Sequence, residues 1–473
     1  MGKKKAPEDS GKTGERLASV STPVEDVGPE VFLRMEVPGP RGFWAREGRW
    51  FAHLGAASVL QVTDPGEGGG RFRDIWTRGR DLLDGSAPVP GSQVPPPPAR
   101  FFGGFAFREG HLPREAWQGF PSAHFVLPEV ELMGQEGGAV LTCRGFLSPD
   151  EDDDRCRDRL RDRLAQLREA LISPPAQVPP GEPWIPATRV ETDLESWQAT
   201  VDRALEEMKG GKVSKVVLAR VQSVVAEGGL DPVEVVMNLW RENLTSHVFF
   251  FEPSPEHVLL GAAPETVATL ENGKFRATAV AGSAPSSERE ADRKRLAQRL
   301  LKSEKDRLEH RVCVEDMISR IEPLAKKVQA DEEPHILTLS TIQHLESVIE
   351  AELEKGQTVL SVLEALHPTP AICGLPRDLA LEFLNREEPF HRGWYSGPVG
   401  WFDGAGNGVF VPALRSAVGH GEEWRLFAGA GIVAGSEPRQ EWDETRIKFQ
   451  PVLRALSRAG AGRTSALSSA EES

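Results

Sequence analysis

Two stretches of this chain place acidic side chains one helical step apart. Ser303 to His310 reads SEKDRLEH, and Gly429 to Thr445 reads GAGIVAGSEPRQEWDET. Asp306 and Glu309 stand three residues apart, as do Glu441 and Glu444. Three residues of helix turn through about 300°, so each pair shares a face. Like charges so placed repel each other. Two readings are open. The faces can be solvated, as acidic faces commonly are in a chain of formal charge −15. Alternatively, both faces turn inward and a cation holds them together. Hard oxygen ligands with few nitrogens then favour magnesium.

The rest of the chain must supply elements that bring these pairs together. With 473 residues and 39% hydrophobic content it is large enough for one big unit or two to three ordinary domains. No apolar run approaches bilayer length, and the basic start MGKKKAPEDS has no apolar segment behind it, so a cytoplasmic protein is expected. Four scattered cysteines without a CxxC read as reduced thiols. The acidic balance argues against nucleic acid as a partner. It leaves room for a small anion, because a few arginines can reverse the field inside a pocket.

Periodicity predicts mixed α+β structure. A helix over roughly Asp153 to Ile172 carries Leu160, Leu164, Leu167 and Leu171 on one stripe. From Glu191 a helix, a strand (Lys212 to Val225) and a helix (Pro232 to Arg241) follow, and Asn272-Gly273 predicts a two-residue hairpin. Ser287 with Glu290 three residues on has the form of a capping box for a long helix. The last helix is expected near Ser436, with Pro438 in its first turn. Pro88 to Pro98 reads as a stiff exposed linker, and SPPAQVPPG (Ser173 to Gly181) as a break.

Ten short strings carry a resemblance. KVVLAR (Lys215 to Arg220), LGAAPE (Leu260 to Glu265), AGSA (Ala281 to Ala284), SEKDRLEH and His344-Leu345 occur in the order and spacing of the chorismate-utilising enzymes. So do LHPTPA (Leu366 to Ala371), YSGPVG (Tyr395 to Gly400), Leu414-Arg415, FAGAGIV (Phe427 to Val433) and EWDET (Glu441 to Thr445). The chain is similar to that family most strongly over residues 190–455. The resemblance implies an α+β fold: a large sandwich of antiparallel sheets wrapped by helices, with pseudo-duplicated halves. It implies a single catalytic unit over 29–459, in a monomer or homodimer, while the polar composition of residues 1–28 and 460–473 leads us to expect disorder there. The substrate it implies is chorismate.

The same resemblance assigns roles. Making isochorismate needs a base for the attacking water, an acid for the departing oxygen and counter-charge for the carboxylates. Lys215 stands at the base position, although a lysine opening an apolar strand also suits an edge that discourages aggregation. A lysine base needs its pKa lowered by burial or by a neighbouring cation. Glu265 stands at the acid position and must stay protonated. Glu309 and Glu441 match magnesium ligands, with Glu444 and Asp306 as supporting carboxylates. Tyr395, the only tyrosine, and Arg415 resemble the positions that hold the enolpyruvyl carboxylate. Gly282, Ser283, His344, Gly429, Ala430 and Gly431 fall at the remaining substrate-binding positions. HRGWYSGPVGW and FVPALRSA look most like menaquinone-pathway isochorismate synthases, with siderophore-pathway and salicylate synthases as the alternatives and anthranilate synthase component I further off. Ala281 stands where an aminodeoxychorismate synthase has lysine, which argues against that branch. Ser286-Ser287 departs from the basic residues often found after AGSAP.

Overall fold

Strand-forming runs rich in Val, Phe and Ala dominate the chain, and they pair almost wholly antiparallel. The computed structural model describes residues 16–63, 70–84, 86–88, 92–135, 137–147, 153–172, 187–339 and 341–460. The strand Ala123–Gln135 is where the sheet parts into two arms. It pairs along its length with Arg49–Val62, while its first half also pairs with Arg100–Phe105 and its second with Gly138–Leu147. One arm continues from Arg49–Val62 through Arg41–Arg46, His247–Ser254, His257–Ala263, Ser416–His420 and Glu423–Val433 to Lys215–Val225. The other runs from Arg100–Phe105 through Pro398–Asp403, Gly408–Pro412, Ala268–Glu271 and Lys274–Pro285 to Ile342–Leu353.

The arms close on an aromatic layer. Trp44, Phe51, Phe249, Phe251 and Phe427 from the first arm meet Phe102, Val399 and Val411 from the second. A second apolar cluster fills the outer face of the first arm beneath the helices Asp153–Ile172, Pro232–Glu242 and Pro438–Ala459. A third lies under the helices Arg71–Leu83, Glu304–Ile321 and Val359–Leu366 on the second arm. This is the expected sandwich wrapped by helices. Among the described residues no helix is long and apolar enough to cross a membrane.

Several expectations hold in detail. The helix Asp153–Ile172 buries all four leucines of its stripe. Asn272 and Gly273 take φ of 52° and 79°, the left-handed pair that a tight hairpin between Ala268–Glu271 and Lys274–Pro285 requires. Others need correction. Within the leader expected to be disordered, residues 1–28, Arg16–Val24 is a strand paired with Gly138–Leu147. Its serines and threonines are not solvated there: the Ser21 and Thr142 hydroxyls share a hydrogen bond of 2.9 Å. Of the expected exposed linker, Gln93, Pro95 and Pro98 are exposed, but Thr22 donates to Gln93, and Pro97 is buried and accepts from Arg144 at 3.2 Å. Residues 1–15, 461–473 and the break at 173–181 lie outside the described residues.

The capping box at Ser287 does not form. Ser287 Oγ accepts from the Arg289 N–H instead, and the helix Glu290–Lys302 starts without a side-chain cap. Ser303 then ends that helix and caps the next, Glu304–Ile321, by accepting from the Asp306 N–H. The single long helix expected is therefore two, and the break swings the Asp306–Glu309 face toward the first arm. Because Leu167 is 4% exposed on a helix packed only against the outer face, Leu167→Ala is expected to cost about 2–5 kcal/mol and lower the thermal midpoint while leaving turnover at room temperature unchanged.

Candidate active site

The strands Lys215–Val225 and Glu423–Val433 pair with Val217 opposite Gly431 and Ala219 opposite Gly429. Directly opposed residues share a face of the sheet. Lys215, Val217, Gly429 and Gly431 therefore face one cavity of about 530 Å³. Leu218 and Ala430, opposed to each other, face the apolar cluster behind. Ala430 is thus the one expected site residue whose side chain the structure turns away, by strand parity alone.

The other walls come from three places. In the second arm a bulge between Ala281 and Ser283 brings Gly282 to the rim, with φ of 77°. A side chain at Gly282 would also press on Asp306 Cβ at 3.0 Å, so both backbone and space call for glycine there. Opposite the bulge sits His344, whose Nδ1 lies 3.0 Å from Ser283 Oγ and 3.3 Å from the Gly282 carbonyl. Its Nε2 is 3.2 Å from Arg415 Nη2. Arginine only donates, so Nε2 must accept and Nδ1 carries the proton. Burial and the adjacent Arg415 push the His344 pKa well down, which keeps the ring neutral.

Arg415 is 8% exposed, adopts a positive φ of 48°, and leaves Nη1 buried without a partner. Burial lowers its pKa to about 10, so it remains a cation. A buried guanidinium with a free donor facing a cavity is a receptor for an anion. Tyr395 stacks on Phe427 at 5.0 Å, and Gly429 leaves room for its hydroxyl, which would lie 3.0 Å from any Cβ there. Behind them Arg392 and Glu388 form a buried ion pair. Arg392 donates to the carbonyls of Val217 and Ile372 at 2.6 and 2.9 Å, and Glu388 accepts from the Ala219 N–H at 3.0 Å. This pair pins the strand that presents Lys215. No sequence signal marked it.

The charged groups divide into opposing pushes. Glu265, at the end of His257–Ala263, is buried, and that burial raises its pKa to about 7 despite Lys215, Lys448 and Arg415 nearby. The acid expected to stay protonated has the surroundings to do so. Lys215 departs from expectation. Burial favours its neutral amine, but Cys313 Sγ at 3.2 Å and Glu309 Oε1 at 2.9 Å outweigh that and hold its pKa above the ordinary lysine value. Its neighbours are hydrogen-bond acceptors and not the cation a lysine base needs.

All four carboxylates reach the cavity from the two helices. Burial, together with neighbouring Glu309 and Glu444, raises the Asp306 pKa, and burial with Glu444 raises that of Glu441. Acids on separate helices thus crowd one another. Each glutamate also has a lysine: Lys305 sits 3.0 Å from Glu441, Lys448 2.6 Å from Glu444, and Lys215 on Glu309. Among the described residues no three acidic, histidine or cysteine groups converge as they stand on one metal position. The set still fits a hard divalent cation in kind, being all oxygen, crowded and mutually repelling. Lys305 and Lys448 were missed in the sequence, although Lys448 stands four residues after Glu444, the spacing of a helical ion pair.

Comparison with known proteins shows the family. A family model described as "Chorismate binding enzyme" matches residues 4–457. The "Salicylate biosynthesis isochorismate synthase" of Pseudomonas aeruginosa is 33% identical over 420 residues, 88% of this chain and 85% of that protein. "Isochorismate synthase MenF" of Bacillus subtilis is 29% identical over 451 residues, 93% of each. The solved structure of the menaquinone-specific isochorismate synthase MenF from Escherichia coli superposes with a TM-score of 0.76 at 25% identity, covering 94% of this chain and 95% of that one. With its acid, buried cations and carboxylate-lined cavity on that shared frame, the chain belongs to the chorismate-binding enzyme family.

Proposed function

We propose that this protein is a magnesium-dependent isochorismate synthase that feeds menaquinone biosynthesis. The observation that carries the reading is the single cavity in which buried Glu265 and Lys215 meet Arg415, with its unpartnered Nη1. In the reaction water attacks C2 of chorismate, the ring double bonds shift, and the C4 hydroxyl leaves as water. Glu265, protonated near neutrality, gives its proton to the departing C4 oxygen. Lys215 takes the proton from the attacking water. Engaging the Glu309 charge elsewhere removes one of the two close contacts that hold the Lys215 proton and shifts the balance toward the free amine.

Arg415 and the Tyr395 hydroxyl receive the enolpyruvyl carboxylate, with Gly429 and Gly431 letting backbone groups approach. Neutral His344 presses against Arg415 and orients its fork. Gly282 and Ser283 close the rim. Glu309 and Glu441 would hold magnesium, with Glu444 and Asp306 beside them. When bound, the ion supplies positive charge to the ring carboxylate of the substrate. The Pseudomonas aeruginosa relative favours a second reading of the pathway, in which the same product serves salicylate formation.

Purified protein given chorismate and magnesium should form isochorismate in reversible equilibrium, identified by chromatography, and isochorismate should return chorismate. EDTA should abolish the conversion and added magnesium restore it. Salicylate and pyruvate accumulating in equal amounts would move the assignment to salicylate synthase, and full activity in chelator would remove the metal.

Lys215→Ala and Glu265→Gln should each lose about 10²–10⁴-fold in turnover while still binding substrate. Glu265 also gives a stability signature. Its folded pKa of about 7 lies above the ordinary 4.5, so the stability it lends is present at low pH and lost as pH rises through that window. The melting temperature of the wild type relative to Glu265→Gln should therefore fall between about pH 5 and about pH 8. Parallel curves would contradict the assigned protonation.

A further inference from the structure

A second cavity, of about 660 Å³, shares a wall with the catalytic one. The wall is Arg392, which lines this cavity while donating to the carbonyls of Val217 and Ile372 on the catalytic side. Phe72, Phe107, Pro368 and Leu381 give the second cavity apolar surfaces. Its polar lining is mainly cationic, with Arg71, Arg108, Arg114 and Arg377. Glu109, Glu364 and Asp378 also line it, but none of these four arginines forms an ion pair among the described residues.

Arg71 is the telling member. It is 2% exposed, and its Nη1 donates to the carbonyls of Arg108 and Ser122 at 3.1 and 3.4 Å. Its Nε is buried with no partner, and so is Nε of Arg108. Burial works against the Arg71 charge, and Glu109 only partly offsets it. A guanidinium stays charged in protein interiors, so a desolvated one without a counter-ion is a standing electrostatic cost. The unused donors of Arg71 and Arg108 can be satisfied by an anion entering the cavity. The apolar wall beside them favours an organic anion over a bare inorganic ion.

We propose that this cavity binds a small organic anion that carries a carboxylate on an apolar body, the carboxylate on Arg71 and Arg108 and the body against the apolar wall that includes Pro368 and Leu381. The site is separate from the catalytic anion receptor at Arg415 and does not depend on which reaction is catalysed there. Arg392, which lines this cavity, also donates to the Val217 carbonyl on the Lys215 strand.

Benzoate is the probe, followed by saturation-transfer NMR on the full chain in an Arg415→Met background, which removes the catalytic receptor. Saturable transfer to the benzoate ring is expected, with apparent affinity at least tenfold weaker once Arg108→Met is added. Arg108 makes no side-chain hydrogen bond among the described residues, so that variant should fold, and its melting temperature checks this. Arg71→Lys keeps the charge and should retain part of the binding. Absence of saturable transfer in the Arg415→Met protein, or affinity unchanged by Arg108→Met, would overturn the proposal. Displacement of benzoate by an equal concentration of inorganic phosphate would overturn the carboxylate assignment, since charge alone would then be read.

Discussion

A buried ammonium and a buried carboxylate meet in the space left by a missing side chain. Lys215 Nζ and Glu309 Oε1 lie 2.9 Å apart, and a Cβ on Gly431 would clash with that same oxygen. Removing either partner from such a pair leaves an uncompensated charge away from water, which costs about 3–5 kcal/mol. The surrounding structure is arranged around keeping both. The register that sets Val217 against Gly431 puts the lysine and the glycine on one face, the Glu388–Arg392 pair pins the strand from behind, and Ser303 starts the helix that delivers Glu309.

The cavity sorts its titratable groups by what surrounds them. Glu265 has burial acting with too few close partners, so its proton is retained to near neutrality. Lys215 has burial opposed by acceptors at close range, so its proton is retained as well. An acid and a base cannot both be ready in that state. What distinguishes them is that the lysine's partner belongs to the crowded carboxylate set and can be drawn away, whereas the burial of Glu265 is built into the sheet. Lys305 and Lys448 keep that set from flying apart when the lysines are its only counter-charge.

Much of this was legible in the chain, and the reasons differ by element. The Leu160–Leu171 stripe and the Asn272-Gly273 hairpin follow from local periodicity and turn chemistry, and both appear as read. The site residues were legible because short motifs in fixed order carried a family resemblance, and no single motif would have sufficed. Ala430 was misplaced although strand alternation between Gly429 and Gly431 already turns it away. Arg16–Val24 was hidden because its serines and threonines look solvated until Thr142 and the rest of the partner strand are in place. The Ser287 capping box failed because that hydroxyl is used one residue earlier in a turn. Ion pairs such as Arg392–Glu388 draw their value from burial, which the sequence does not print.

The central claim is that the Glu309 carboxylate, acting with Cys313, holds the proton on Lys215 against burial. NMR titration of isotopically labelled Lys215 in the wild type and in Glu309→Gln measures it directly. Its ammonium should titrate above the ordinary value of 10.5 in the wild type and lower than that wild-type value in Glu309→Gln, where Cys313 is left to oppose burial without the carboxylate. The same titration in both proteins would contradict the account.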